Sequence, residues 1–369
     1  MSLLLLLAAC ASSERASGPL PDGAYLWSRV HDEHTAATLA ADPTDTLHAL
    51  VDALSWWDGA AHHAPMALGP LPVGTVLCIR AGVPPEGVDP APALVAAIAA
   101  ARAAYPDAGG VQLDLDMPTA RLGEYTALAP QLRGAAAPLP LSITALPTWL
   151  SSPELPRLAD EVDHYVLQVH WDDRRQRGPA LQAEVVDWVE QAGALGRPFQ
   201  VALPTYGRRA YLPEERRDEL FLSDPVEEAR LVRAWTQDRP AALTGLLWFR
   251  LPDDTDRMVW SVETLAAVRE GRAPHPRLVA RAAQDSLGAW VVSVHNEGDT
   301  TGLLAAVTVE PEPLVGDGLG GAEWWPGRGT LEPRGWNPSD SLVAPGETMT
   351  LGWVRTGRAP ELTVREVSR

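Results

Sequence analysis

Lysine is missing from the chain: all 30 basic residues are arginine, set against 48 aspartates and glutamates. The resulting net charge of -18 excludes the basic footprint of a nucleic-acid binder and opposes direct docking on an anionic membrane surface. Cysteine is almost as scarce. Cys10 and Cys78 are the two present, too few for a disulfide framework or a thiolate metal site. The nine histidines are scattered, with His62 and His63 adjacent and His31 and His34 three apart, and neither a metal nor a cofactor is expected. Beyond the N-terminus no run is long and apolar enough to cross a bilayer. Phenylalanine is limited to 3 residues, whereas tryptophan reaches 14, which makes the position of each indole worth following.

The N-terminus carries the one strongly apolar run, Leu3 to Leu7, which ends in Leu7-Ala8-Ala9-Cys10. That ending resembles the bacterial lipobox, whose cysteine is lipidated and becomes the mature first residue. The run is too short to span a membrane, is short for a signal peptide and has no basic residue before it. A start upstream of Met1 and a Leu-rich end without this meaning therefore stand beside the lipoprotein reading. On that reading residues 1–22 are signal and tether, Cys10 is the lipidation site, and the protein is exported and held at the outer or cytoplasmic membrane of the cell envelope through its lipid alone.

The rest of the chain is organised around Gly109 to Asp116, GGVQLDLD. Apolar Val111, Leu113 and Leu115 alternate with Gln112, Asp114 and Asp116, the period of a β-strand, so the three polar side chains share a face. The flanking helical patterns point to a parallel sheet, where both faces are covered. Two neighbouring carboxylates in a covered place repel each other and lose hydration, so one is expected to keep its proton near neutral pH, as a general acid must. A structural pair binding an arginine or a loop amide is the other use of such residues.

Strand and helix patterns alternate along the chain: strands at Gly23–Val30, Gly74–Arg80, Leu139–Ala145, Val162–His170, Phe199–Leu203 and Leu243–Phe249, with helices that include Thr44–Ser55, Pro90–Ala104, Leu122–Leu132, Pro179–Leu195, Asp224–Thr236 and Ser261–Arg269. With a poorly marked strand near Trp56–Ala61, the count fits an α/β fold of the closed (β/α)8 TIM-barrel kind over residues 23–272. Past Arg272 the helical period disappears. Segments Ala289–His295, Leu303–Val309, Thr348–Val354 and Glu361–Val367 alternate like strands between turns, which predicts a small β-sandwich-like module over residues 273–369.

GGVQLDLD resembles the DxxDxDxE signature of family 18 glycoside hydrolases, the chitinase-like barrels. Asp114 falls on that signature's last Asp and Asp116 on its catalytic Glu, while Gly109 and Gln112 replace the first two Asp. Further along, Gln168 and His170 stand where the family carries Met and Tyr of a MxYD motif, with Trp171 replacing its Asp; Leu203 to Arg208, LPTYGR, resembles lPxYGR; and Trp248, followed by Asp253-Asp254, resembles the last strand, whose Trp floors the sugar subsite. Together with SITALPTWL, which ends near Trp149, these features are similar to an uncharacterised bacterial group, the domain of unknown function 3142 family, a divergent relative of those barrels.

The resemblance implies hydrolysis of a β-linked, N-acetylhexosamine-containing glycan with help from the substrate's acetamido group. Asp116 would be the acid and Asp114 the stabiliser, and Gln112, Gln168, His170, Tyr206, Trp248 and Trp149 would bind the sugar. The expected partner is thus a carbohydrate, with no nucleic acid, and the oligomeric state stays open. Asp is one methylene shorter than Glu, which withdraws the acid by roughly 1.5 Å, and a displacement near 1 Å costs on the order of 100-fold. A catalytically silent glycan-binding protein and an envelope-assembly lipoprotein are the alternatives.

Overall fold

The computed structural model of the chain describes residues 14–27, 44–66, 68–169, 182–212, 217–251, 256–334 and 338–367. Cys10 lies outside them. Eight parallel strands, β1 (Asp22–Leu26), β2 (Thr46–Trp57), β3 (Val76–Ala81), β4 (Gly110–Leu115), β5 (Leu141–Ala145), β6 (His164–Gln168), β7 (Phe199–Pro204) and β8 (Leu243–Phe249), pair in sequence, and β8 pairs back onto β1 to close the sheet. Helices α1 (Ala91–Ala104), α2 (Leu122–Ala136), α3 (Glu154–Asp160), α4 (Gln182–Ala194) and α5 (Pro225–Gln237) fill the successive connections from β3 to β8, and α6 (Val262–Arg269) follows β8. This is the (β/α)8 barrel expected from the sequence. Between β2 and β3 the chain instead turns back as an antiparallel strand, Ala60–Pro65, paired with the far half of β2.

The strand period sorts side chains into two environments. Outward residues such as Leu113, Leu115, Ile143, Val201 and Trp248 join Leu94, Ile98, Leu128, Leu132 and Val189 of the helices in the large outer core. A smaller inner cluster gathers Tyr25, Cys78, Val166, Ala202 and Leu247 inside the barrel, so Cys78 is a buried core thiol. Helix starts follow local chemistry: Asp224 caps α5 by accepting from the Val226 N–H, with proline in the first turn, and Ser261 caps α6 by accepting from Thr264.

The segment expected as a helix at Thr44–Ser55 is strand β2. Its apolar residues face both ways, Leu47, Ala49 and Val51 into the outer core and Leu50 among the buried residues, because a barrel strand is covered on both sides. A near-continuous apolar run satisfies helical spacing as easily as strand spacing.

After α6 the chain forms two antiparallel sheets. One contains Leu278–Gln284, Trp290–Asn296, Thr348–Arg355 and Val315–Gly318; the other contains Ala322–Trp325, Thr330–Pro333, Gly302–Glu310, Leu342–Val343 and Glu361–Glu366. Val292, Val294 and Leu351 from the first share a core with Leu304, Val307 and Leu331 from the second. Asp299 ties this part to α6: its carbonyl accepts from the Thr264 hydroxyl at 2.9 Å, and its carboxylate pairs with Arg272.

At the start of β4 the backbone of Gly109 presses against that of Gly74, so that a Cβ on Gly109 would lie 2.3 Å from the Gly74 carbonyl oxygen. The obstacle is backbone and cannot rotate away, which explains why no acidic side chain stands here. Gly109→Ala should therefore destabilise the protein by about 1–3 kcal/mol, read as a drop in thermal midpoint; an unchanged midpoint would contradict this packing.

Candidate functional site at the barrel mouth

All six residues of β4 are buried, and its parity sends Gln112 and Asp114 into the barrel while Val111, Leu113 and Leu115 face the helices. Asp114 sits near the C-terminal end, where barrel enzymes build their sites. It is 7% exposed, and its Oδ1 accepts from the Thr144 hydroxyl at 2.8 Å and from the Gln168 amide at 2.9 Å. Arg80, opposite it on β3, places Nε 3.9 Å from Oδ2. Burial lifts the Asp114 carboxyl above the ordinary carboxylate range, and the Thr144, Arg80 and Gln168 contacts recover part of that rise.

Asp116 lies just past the strand, exposed at the rim. The turn that carries it is closed by a hydrogen bond from the Met117 N–H to the Leu115 carbonyl at 2.7 Å. Asp114 and Asp116 meet in one pocket of about 110 Å³, completed by Tyr25, Trp27, Arg80, Thr144, Gln168, Ala202 and Phe249. Its aromatic wall is continuous: ring centroids lie 5.7 Å apart for Tyr25 and Trp27, 5.2 Å for Trp27 and Phe249, and 5.4 Å for Tyr25 and Phe249. Tyr206 adds its ring 5.8 Å from that of Phe249.

Of the residues expected at the site, Asp114, Asp116 and Gln168 line the pocket, and Tyr206 reaches it through Phe249. His170 falls outside the described residues. Three others are placed elsewhere. Gln112 is fully buried one layer deeper, where its Oε1 accepts from the Tyr25 hydroxyl at 2.8 Å and its Nε2 lies 3.3 Å from the Ser142 hydroxyl. Trp248 is also fully buried, but on the outer side of β8, donating from Nε1 to Asp22 at 2.9 Å; strand parity turns Phe249 inward in its place. Trp149 is buried too and donates from Nε1 to the Met117 carbonyl at 2.9 Å, so it anchors the turn bearing Asp116 and presents no face to a sugar.

Tyr25, Trp27, Arg80 and Phe249 were not among the expected site residues. Parity was the available signal: Arg80 follows Cys78 by two, and Phe249 follows Leu247 by two, each pair sharing the inner face. Below the pocket the interior is polar and neutral. Full burial beside His164 depresses the His48 imidazole to about 3, against a hydrogen bond to Gln112 that raises it, and burial depresses His164 as well. Among larger grooves, one of about 550 Å³ around Asp22, Trp248 and Arg269 has its Asp22 carboxylate engaged by both neighbours.

A family model described as a domain of unknown function (DUF3142) matches residues 91–254, from α1 to just past β8. No curated protein matches the sequence. Among solved structures, the chain is similar to the spore cortex-lytic enzyme SleL of Bacillus cereus, at 11% identity over 70% of this chain and 75% of that one, with a TM-score of 0.47. It is also similar to a putative chitinase A of Streptomyces coelicolor, at 13% identity over 69% and 96%, TM-score 0.41. The phosphoribosyl anthranilate isomerase of Thermus thermophilus matches at 13% identity over 68% and 98%, TM-score 0.36. At such identities and scores the barrel stands on its own strand pairing, and the neighbours' activities carry no argument about the chemistry of this chain.

Because the folded state holds the Asp114 proton more tightly than the unfolded state does, the stability this contributes is complete below the unfolded value of 3.8 and is lost as pH rises through the folded value. Asp114→Asn, neutral throughout, should gain in melting temperature relative to the natural protein between about pH 3.5 and about pH 7. A melting-temperature difference that stays constant or shrinks over that range would show that the buried carboxylate is not strained.

Proposed function

We propose that the barrel mouth binds a β-linked, N-acetylhexosamine-containing glycan and hydrolyses it by acid catalysis. The observation that carries this reading is that Asp114, turned inward by the parity of β4, and Asp116, on the turn that follows, line one pocket with Tyr25, Trp27 and Phe249. Aromatic faces stack on the apolar faces of sugar rings, and paired carboxylates are the recurring chemistry of glycosidic cleavage. Asp114, fixed by Thr144 and Gln168, suits the steadying of a developing cation. Asp116, on the rim, suits proton delivery to the leaving oxygen. Export and anchoring through Cys10 belong to the same proposal and rest on the sequence of the N-terminus.

The exposure of Asp116 favours a second reading, a glycan-binding barrel that has lost hydrolysis, since a catalytic acid gains its proton near neutral pH from burial. Turnover of chromogenic N-acetylhexosaminides and chitin fragments separates the two. On the hydrolase reading Asp116→Asn lowers kcat by about 100-fold or more and keeps ligand affinity. Binding without turnover in the natural protein would leave the silent reading standing, and undiminished turnover in the variant would remove Asp116 from the mechanism.

A further inference from the structure

Arg80 is the one cation among the pocket's described lining residues, in a chain whose acidic residues outnumber its basic ones by 48 to 30. It stands at the C-terminal half of β3, in register with Asp114 on β4. Its side chain is 57% exposed, and its contact with Asp114 is loose, through Nε alone at 3.9 Å. Thr144 and Gln168 hold Asp114 through Oδ1, so Arg80 adds only a long charge contact at Oδ2. The Nη edge of the guanidinium has no hydrogen-bond partner among the described residues.

That edge is a planar pair of donors, the shape that matches a carboxylate bidentately. The aromatic wall lies on β1 and β8, and the acid pair on β4 and its following turn. A sugar ring held between them would have its remaining substituents within reach of β3. Resting on the glycan reading above, we propose that Arg80 selects an acidic glycan: an N-acetylhexosamine-containing chain that carries a carboxylate beside the sugar held at Asp114 and Asp116. The positive charge offsets the repulsion that the two aspartates exert on such a group, and a neutral chain lacks the partner that would use it. The carboxylate has two chemical sources, a lactyl ether on the amino sugar itself or a neighbouring uronic acid.

Calorimetric titration of the full chain with three tetrasaccharides tests this: neutral chitotetraose, a muramic-acid-containing tetrasaccharide and a hyaluronan tetrasaccharide. One acidic chain should bind about 10- to 100-fold more tightly than chitotetraose, and in Arg80→Gln the ratio of acidic to neutral affinity, measured within that variant, should fall to about one. Which acid wins identifies the source of the carboxylate. Chitotetraose binding as tightly as both acids, or an advantage that survives in Arg80→Gln, overturns the proposal and leaves the glycan site intact. Absence of binding by all three overturns the glycan reading and this proposal with it. The natural protein supplies a check that needs no variant: the advantage should fall as salt is added, and an advantage indifferent to salt counts against Arg80.

Discussion

A strand in a closed parallel barrel has two buried faces, and the parity of a residue along it decides which of two environments the side chain meets. Odd and even positions cannot be exchanged without turning the helix-facing core inward. In β4 that constraint sends Leu113 and Leu115 to the helices and Asp114 to the interior, and the turn after Leu115 delivers Asp116 to the same mouth. The outer set supplies the burial that holds the barrel shut. The inner set, which contributes less apolar packing, is left available for chemistry.

Below the mouth, the interior is held by hydrogen bonds as well as by contact. Gln112 joins Tyr25, Cys78 and Ser142, so strands β1, β3, β4 and β5 are tied together directly under Asp114. His48 and His164 remain neutral there because burial disfavours their charged forms. The Gln112 hydrogen bonds hold these strands relative to each other, and with them the ends that carry Thr144 and Arg80. Trp149 performs the same service from outside, gripping the Met117 carbonyl beneath Asp116. Preorganisation of this sort matters because a displaced carboxylate loses most of its effect on a reacting bond.

Much of this was legible in the sequence where one face of an element differs sharply from the other. The alternation of GGVQLDLD identifies both the strand and the face of its acids, and the helix-strand order identifies the barrel. β2 was hidden because Leu47, Ala49, Leu50 and Val51 are buried on both sides, which leaves no polar phase to read. Trp248 and Trp149 were misplaced for a different reason: standing near a strand end does not say which way a side chain points, and parity turns Trp248 outward and Phe249 inward. Gln112 shares the acids' face yet lies a layer deeper, and depth depends on the register of neighbouring strands, which a single strand does not encode. Arg80 is exposed by the same logic, since its significance emerges only when β3 is set beside β4.

The proposed function puts the glycan at the mouth formed by β4 and the Tyr25, Trp27 and Phe249 wall, rather than in the larger groove beside Trp248 on the outer face. Hydrogen–deuterium exchange with and without the tetrasaccharide that binds most tightly addresses it directly. A glycan at the mouth should slow exchange in residues 113–118 and in residues 24–27 and leave residues 232–237 and 269–271 of the outer groove unchanged. Protection confined to the outer groove, with the end of β4 unaffected, would contradict it.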